Sequence, residues 1–361
     1  MKIQLSHKFE DIICLENLLE AWKEFLDGKR NKKDIQEFSL HLMDNIFLLH
    51  SDLFNHTYKH GGYQAFKIND PKPRDIHKAE VRDRLLHHAI YRILYPFFDK
   101  IFIADSYSCR NNKGTHKAVI RLSYFIGKAC KNNTEECWVL KCDIRKFFAS
   151  IDHDILFNVL VKYIPDKNIL WLLEKIIFSF NSLCPVVGAY CNTPLPLYGD
   201  NFNVKSKIGL PLGNLTSQLF VNVYMNEFDQ FIKHKLKIKK YIRYADDFII
   251  IDSSYKYLKR SIKPIRYFLK IKLNLELHPQ KIEIKKFKQG IDFLGYVILP
   301  HYLVLRTKTK KRMFKKIKLN REKLNQNIIT KKSFNQSLQS YYGMLKHCCG
   351  HKIKININKI Y

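Results

Sequence analysis

The chain has 361 residues, 46% of them hydrophobic, which suffices for a substantial core and two or three subdomains and excludes a disordered tail. Its net charge of +30 is suited to a polyanionic partner, nucleic acid first among them. No stretch approaches the roughly 20 apolar residues that span a bilayer, so no membrane residence is expected. The N-terminal run Met-Lys-Ile-Gln-Leu-Ser-His-Lys-Phe-Glu-Asp carries charges where a secretory signal needs an apolar core, and a cytoplasmic protein is expected. Nine cysteines without a C-x-x-C pair read as reduced thiols, not as a zinc site.

In chain order, residues 1 to about 60 carry helical spacing, as in Ile12, Leu15, Leu18, Leu19 and Trp22, then Phe38, Leu40, Leu42, Ile46, Phe47 and Leu48. Gly61-Gly62 interrupts it, and Tyr63 to Asp70 is expected to be extended before Pro71-Lys72-Pro73-Arg74. Helical spacing returns from Ala79 to Phe98. Trp138 to Ile144 reads as a buried strand with Asp143 near its exit. Asp152 is a candidate N-cap for a helix with Ile155, Leu156, Val159, Leu160 and Tyr163 on one face, which would back the strand carrying Asp143. Residues 181–208, with Pro185, Gly188, Pro194, Pro196 and Gly199, predict a hairpin or long loop. Asn214 is a candidate cap for a helix with Leu215, Leu219, Phe220 and Val223 on its face. The run Tyr241 to Asp252 places Ala245 to Asp247 at the bend of a hairpin between β-branched and aromatic arms. The last 61 residues hold 16 Lys or Arg against one acid, Glu322, so +15 of the +30 lies there. That segment is either a solvated basic helix or a surface that tracks nucleic-acid phosphates, and the second reading predicts steep salt dependence.

Two adjacent acids between hydrophobic arms repel each other and lose hydration, unless a cation neutralises them. A plain surface Asp-Asp turn is the alternative for Asp246-Asp247. The additional carboxylate at Asp143 favours chemistry, because phosphoryl transfer by two divalent ions about 3.5–4 Å apart requires converging carboxylates. Magnesium suits such oxygen ligands, so two Mg2+ ions are expected.

The stretches Lys-Cys-Asp-Ile-Arg-Lys-Phe-Phe-Ala-Ser-Ile-Asp-His at 141–153, Gly-Leu-Pro-Leu-Gly-Asn-Leu-Thr-Ser-Gln-Leu at 209–219, Tyr-Ala-Asp-Asp at 244–247, His-Pro-Gln-Lys at 278–281 and Phe-Leu-Gly-Tyr at 293–296 resemble, in order, the palm motifs of reverse transcriptases. Lys72-Pro-Arg74, Asp83-Arg84-Leu85 and Ser106 to Arg110 resemble the finger motifs of group II intron and retron enzymes. The similarity runs from about Gly61 to Tyr296, with a weaker echo at Ser340 to His347. It implies an α+β right-hand polymerase: an N-terminal helical segment at 1–60, fingers at 61–135, a palm at 136–298 with an antiparallel sheet backed by helices and an interleaved finger segment at 181–208, and a basic helical thumb at 299–361. One departure matters. Where most reverse transcriptases carry Gln before the Gly of the second motif, this chain has Leu212 before Gly213, and Ser217-Gln218 replaces Ser-Pro, as in diversity-generating retroelement enzymes. In that family the missing Gln accompanies error-prone copying opposite adenine. An amide can hydrogen-bond a sugar or base, whereas an isobutyl group only fills space, so Leu212 is the expected fidelity position; a plain core residue is the alternative.

The resemblance further assigns Asp143, Asp246 and Asp247, with Ile144 beside them, to metal. Lys72 and Arg74 go to the triphosphate, Phe148 to a steric gate against a ribose 2′-hydroxyl, and Lys281 to general acid catalysis at the leaving pyrophosphate. Pro211, Gly213, Ser217 and Gln218 would shape the floor beneath the nascent pair, and Phe293, Leu294, Gly295 and Tyr296 the primer grip. Template RNA, an RNA/DNA primer-template duplex, deoxynucleoside triphosphates and a small basic oligomeric accessory protein are the implied partners. The alternatives are a retron, group II intron-like or phage-defence reverse transcriptase of ordinary fidelity, and a non-catalytic RNA-binding scaffold. Against the group II reading, no DNA-binding or endonuclease domain is recognisable after the thumb.

Overall fold

The computed structural model describes residues 3–69, 73–182 and 208–360. In chain order the elements are α1 (Phe9–Ile13), α2 (Leu15–Phe25), α3 (Lys33–Leu40), α4 (Leu42–Phe54), β1 (Tyr63–Ile68), β2 (Arg74–Ala79), α5 (Val81–Ile101), α6 (Thr115–Ala129), β3 (Trp138–Asp143), α7 (His153–Val161), α8 (Lys167–Ile177) and α9 (Leu215–Gln230). There follow β4 (Tyr241–Tyr244), β5 (Asp247–Asp252), α10 (Tyr255–Leu273), β6 (Glu283–Lys286), β7 (Ile291–Phe293), β8 (Tyr296–Ile298), β9 (Leu303–Leu305), α11 (Thr307–Asn325), α12 (Lys331–Leu345) and α13 (His351–Ile360). The mixture of helices with antiparallel sheets is the α+β class expected of a right-hand polymerase. Among the described residues, no helix is long and apolar enough to cross a membrane.

The chain divides into two compact units. The first comprises residues 1–104, 144–237 and 264–278. Its centre is α5, packed on α2 and on α9, with α7 lying against α8 and α9. Asp152 caps α7 as its sequence suggests, its carboxylate accepting from the amides of Asp154 and Ile155. The β1–β2 hairpin pairs Tyr63 with Ala79 through to Ile68 with Arg74. The second strand has no apolar run of its own; pairing with β1 makes Arg-Asp-Ile-His-Lys-Ala a strand. Asn214 sits at the N-cap of α9 in an extended conformation, but its side chain makes no capping bond, contrary to the sequence expectation. The segment 181–208, read as a hairpin or loop, lies outside the described residues except at residues 181, 182 and 208.

The second unit comprises residues 105–143, 238–263 and 279–361. An antiparallel sheet runs in the order β4-β5-β3-β6, and a smaller one in the order β7-β8-β9. Strand β5 buries Phe248, Ile249, Ile250 and Ile251 on both faces, which explains its unbroken apolar run. Helix α6 packs on β4, β5 and β8. Its Leu122 and Ile126 share one core with Ile249 and Ile251 of β5, Phe293 and Tyr296 around the second hairpin, Ile317 of α11, Phe334 and Leu338 of α12 and Ile357 of α13. The basic C-terminal helices are therefore amphipathic, anchored by an apolar stripe that leaves their lysines in solvent.

Candidate active site

Pairing of Tyr244 with Asp247 closes the β4–β5 hairpin over a two-residue loop, Ala245-Asp246, so Asp247 is the first residue of β5 and not part of the bend. Ala245 adopts φ +54°, the left-handed conformation that two-residue hairpin loops favour. Beneath it lies a residue the sequence did not reveal. Arg243 is fully buried and donates from Nη1 to the Ala245 carbonyl at 3.2 Å and from Nη2 to Ser106 Oγ at 3.1 Å. Its backbone bridges Ser106, with the Arg243 amide donating to the Asp105 carbonyl and the Tyr107 amide to the Arg243 carbonyl. The Ser-Tyr-Ser stretch at 106–108 thus braces the carboxylate turn.

Across the sheet, Asp143 of β3 stands directly opposite Asp247 of β5. Burial, then the like charges of Asp246 and Asp143 working against the pull of Lys141, push the Asp247 carboxyl up to about 6. Lys141, two residues before Asp143 and on the same face of β3, donates to the Asp292 carbonyl at 2.8 Å. Lys281 Nζ lies 2.8 Å from Asp143 Oδ1, while the Asp143 side chain is 14% exposed. Among the described residues no group of three His, Cys, Asp or Glu side chains is placed to hold a metal ion. The donor chemistry nevertheless fits a hard cation: two carboxylates face each other with a third at the adjoining turn, and an ammonium already occupies one of them. Ile144 is 1% exposed, so only its main-chain carbonyl is a candidate ligand.

In the first unit, Phe148 and Leu212 line one cavity of about 570 Å³, together with Phe66, His77 and Phe180. The neighbouring Phe147 is 4% exposed in the core, so of the two phenylalanines Phe148 faces the cavity. Leu212 is half-buried, and its carbonyl accepts from the His77 amide at 2.9 Å. Gly213 has φ +119°, and a Cβ there would lie 3.1 Å from Ile76 Cγ2, so both conformation and space call for glycine. Pro211 and Ser217 are buried and Gln218 half-buried, the last two in the first turn of α9. Arg74 is exposed at the start of β2, and Lys72 lies outside the described residues.

Back in the second unit, Phe293 pairs with Tyr296 around Leu294 (φ +49°) and Gly295 (φ +90°), a tight two-residue hairpin. Gly295 is needed for its φ and not for close approach, since a Cβ would meet nothing nearer than Thr309 Oγ1 at 3.5 Å. Tyr296 OH donates to the Met344 carbonyl at 3.1 Å, and the His347 ring stacks on His116 with centroids 3.8 Å apart. The segment 340–347 therefore packs the C-terminal helices onto this hairpin.

A model of the family described as reverse transcriptase (RNA-dependent DNA polymerase) matches residues 67–298. A putative COX1/OXI3 intron 2 protein of Saccharomyces cerevisiae is 23% identical over 292 residues, covering 65% of this chain and 30% of that protein. Protein YkfC of Escherichia coli is 24% identical over 260 residues, with 63% and 64% covered. The group II intron-encoded protein LtrA of Lactococcus lactis subsp. cremoris is 25% identical over 295 residues, with 64% and 45% covered. The chain thus spans less than two thirds of the length of each of these relatives.

Proposed function

We propose that this chain, which belongs to the reverse transcriptase (RNA-dependent DNA polymerase) family, copies a template RNA into DNA and does so with adenine-directed errors. The observation that carries the polymerase reading is the opposition of Asp143 and Asp247 with Asp246 at the adjoining turn. Asp143, Asp246 and Asp247, with the Ile144 carbonyl, would hold two magnesium ions, whose chemistry when bound is to activate the attacking 3′-hydroxyl and offset charge on the leaving oxygen. The primer 3′-hydroxyl gives up its proton to solvent, its oxygen forms the new bond to the α-phosphate, and the bond to pyrophosphate breaks. Lys281, beside Asp143, delivers a proton to the departing pyrophosphate. Lys72 and Arg74 pair with the triphosphate. Residues 61–135 act as fingers, 136–298 as palm and 299–361 as a thumb whose lysines follow the phosphates of the primer-template duplex.

The mutagenic part of the reading is supported by Leu212, whose isobutyl group lines the same cavity as the proposed sugar gate Phe148. A wall that offers only contact discriminates by about 1–3 kcal/mol, less than one that leaves polar groups unpaired around a wrong substrate. A small basic oligomeric accessory protein would help the enzyme engage its template RNA. The described cysteines are free thiols, which agrees with a reducing, cytoplasmic setting. A second reading, an intron-type reverse transcriptase of ordinary fidelity, is favoured by the group II intron-encoded relative. Primer extension on a defined RNA separates the two. Errors concentrated opposite template adenine support the mutagenic reading, and errors spread evenly over the four bases remove it.

A further inference from the structure

Asp75 and His77 of β2 line the cavity that holds Phe148 and Leu212, whereas Ile76 and Lys78, on the strand's other face, line a second cavity of about 380 Å³. Polar atoms without partners are concentrated there. Of eight buried side-chain nitrogen and oxygen atoms lacking a hydrogen bond among the described residues, five belong to Arg84, His87 and Asn214, all of which line this cavity. His87 is 1% exposed with neither ring nitrogen bonded, and Asn214 is 2% exposed with neither amide atom bonded. Arg84 contributes an unpartnered Nε. Buried polar groups are almost always satisfied, so three such groups around one space indicate a missing hydrogen-bonding occupant.

The charge of the space identifies the occupant's class. Lys29, Lys78 and Arg84 line it. One carboxylate, Asp34, serves both Lys78, at 2.7 Å, and Arg84. The Lys29 ammonium donates to the Phe25 carbonyl at 2.8 Å and lies over the Phe25 ring, with Asp27 as a second nearby carboxylate against the three cations. The excess is positive, and the neighbouring His88 registers it: burial first, then Lys29 and Arg84, push its imidazole down to about 4. Burial likewise holds His87 well below the usual range, so its ring is neutral and has one N–H to donate. Asn214 also stands at the N-terminus of α9, a 16-residue helix whose first amides favour an anion. Phe25 and Phe66 complete the wall with ring surfaces.

We propose that this cavity binds a phosphate group, with Asn214, His87 and Arg84 Nε as hydrogen-bond donors and Lys29 and Lys78 supplying the countercharge. A backbone phosphate of single-stranded RNA and the phosphate of a free nucleotide present the same chemistry. The site uses none of the carboxylates of the transfer reaction, and its test is independent of whether the chain extends a primer.

The test measures thermal unfolding of the full chain with added inorganic phosphate, against chloride at equal ionic strength, for the wild type, Asn214→Leu and Lys29→Gln. Phosphate is expected to raise the midpoint of the wild type more than chloride does, with the difference abolished in Asn214→Leu and reduced in Lys29→Gln. Leucine removes both orphaned amide atoms at similar volume, so an amide facing mere void would give a variant of unchanged phosphate response. Titration with single-stranded RNA and with a deoxynucleoside triphosphate identifies the source. A strand phosphate predicts about tenfold weaker RNA binding in both variants, with a salt slope lower by about one in Lys29→Gln, the variant that removes a charge. A nucleotide phosphate predicts unchanged RNA affinity and about tenfold weaker nucleotide binding. The proposal is overturned by a wild type that responds to phosphate no more than to chloride, or by variants that keep the full response and both affinities.

Discussion

Two antiparallel strand pairs of this molecule, β4–β5 and β1–β2, are treated differently by the fold. In β4–β5 every residue but those around the turn and Asp252 at the far end of β5 is buried, and a buried arginine bonds the loop that presents Asp246. In β1, five of six residues are exposed, and Phe66 and Ile68 show 45% and 41% of their surface. Packing and the Arg243 bonds hold the first hairpin's carboxylates together against their mutual repulsion. The second offers faces of side chains to two cavities. On the proposed reading chemistry falls to the packed hairpin and substrate selection to the exposed one, and substitutions at the two should fail in different ways.

After the carboxylates themselves, the largest effect is expected from Lys281→Gln, which removes the ammonium 2.8 Å from Asp143. Turnover should fall about 100-fold with little change in nucleotide KM, as for loss of a general acid. A change confined to KM would assign Lys281 to binding instead. Next is Phe148→Ala, in the cavity lined by the exposed hairpin. Its discrimination between deoxyribonucleotide and ribonucleotide should drop by about 10- to 100-fold, read from competing incorporation. Retained discrimination would move the gate elsewhere. The smallest change in rate is expected from Leu212→Gln, which offers an amide in place of an apolar contact. Errors opposite template adenine should fall several-fold while extension persists, and an unaltered error spectrum would return Leu212 to a packing role.

Legibility in the sequence follows the same division. The apolar arm of β5 could be read directly, since burial on both faces demands an unbroken hydrophobic run, and β4 and the strand leading to Asp143 were legible although Arg243 and Lys141 interrupt them. The capping role of Asp152 was legible because a side chain bonding its own helix is a local matter. Arg243 was not, because an arginine in sequence reads as a surface cation and only the bridge to Ser106 shows what buries it. Strand β2 escaped for a similar reason, its extended conformation being imposed by its partner. Asn214 misled, since residue type and position suggested a capping bond, yet its amide makes no bond to the helix it precedes.

The central claim, that Asp143, Asp246 and Asp247 carry out nucleotidyl transfer on an RNA template, is tested most directly by primer extension with Asp246→Asn beside the wild type, alongside RNA binding by both. The account predicts that the wild type extends a DNA primer on RNA with magnesium present, and that Asp246→Asn loses at least about 1,000-fold in rate while keeping its RNA affinity. Extension by the variant at the wild-type rate would contradict it.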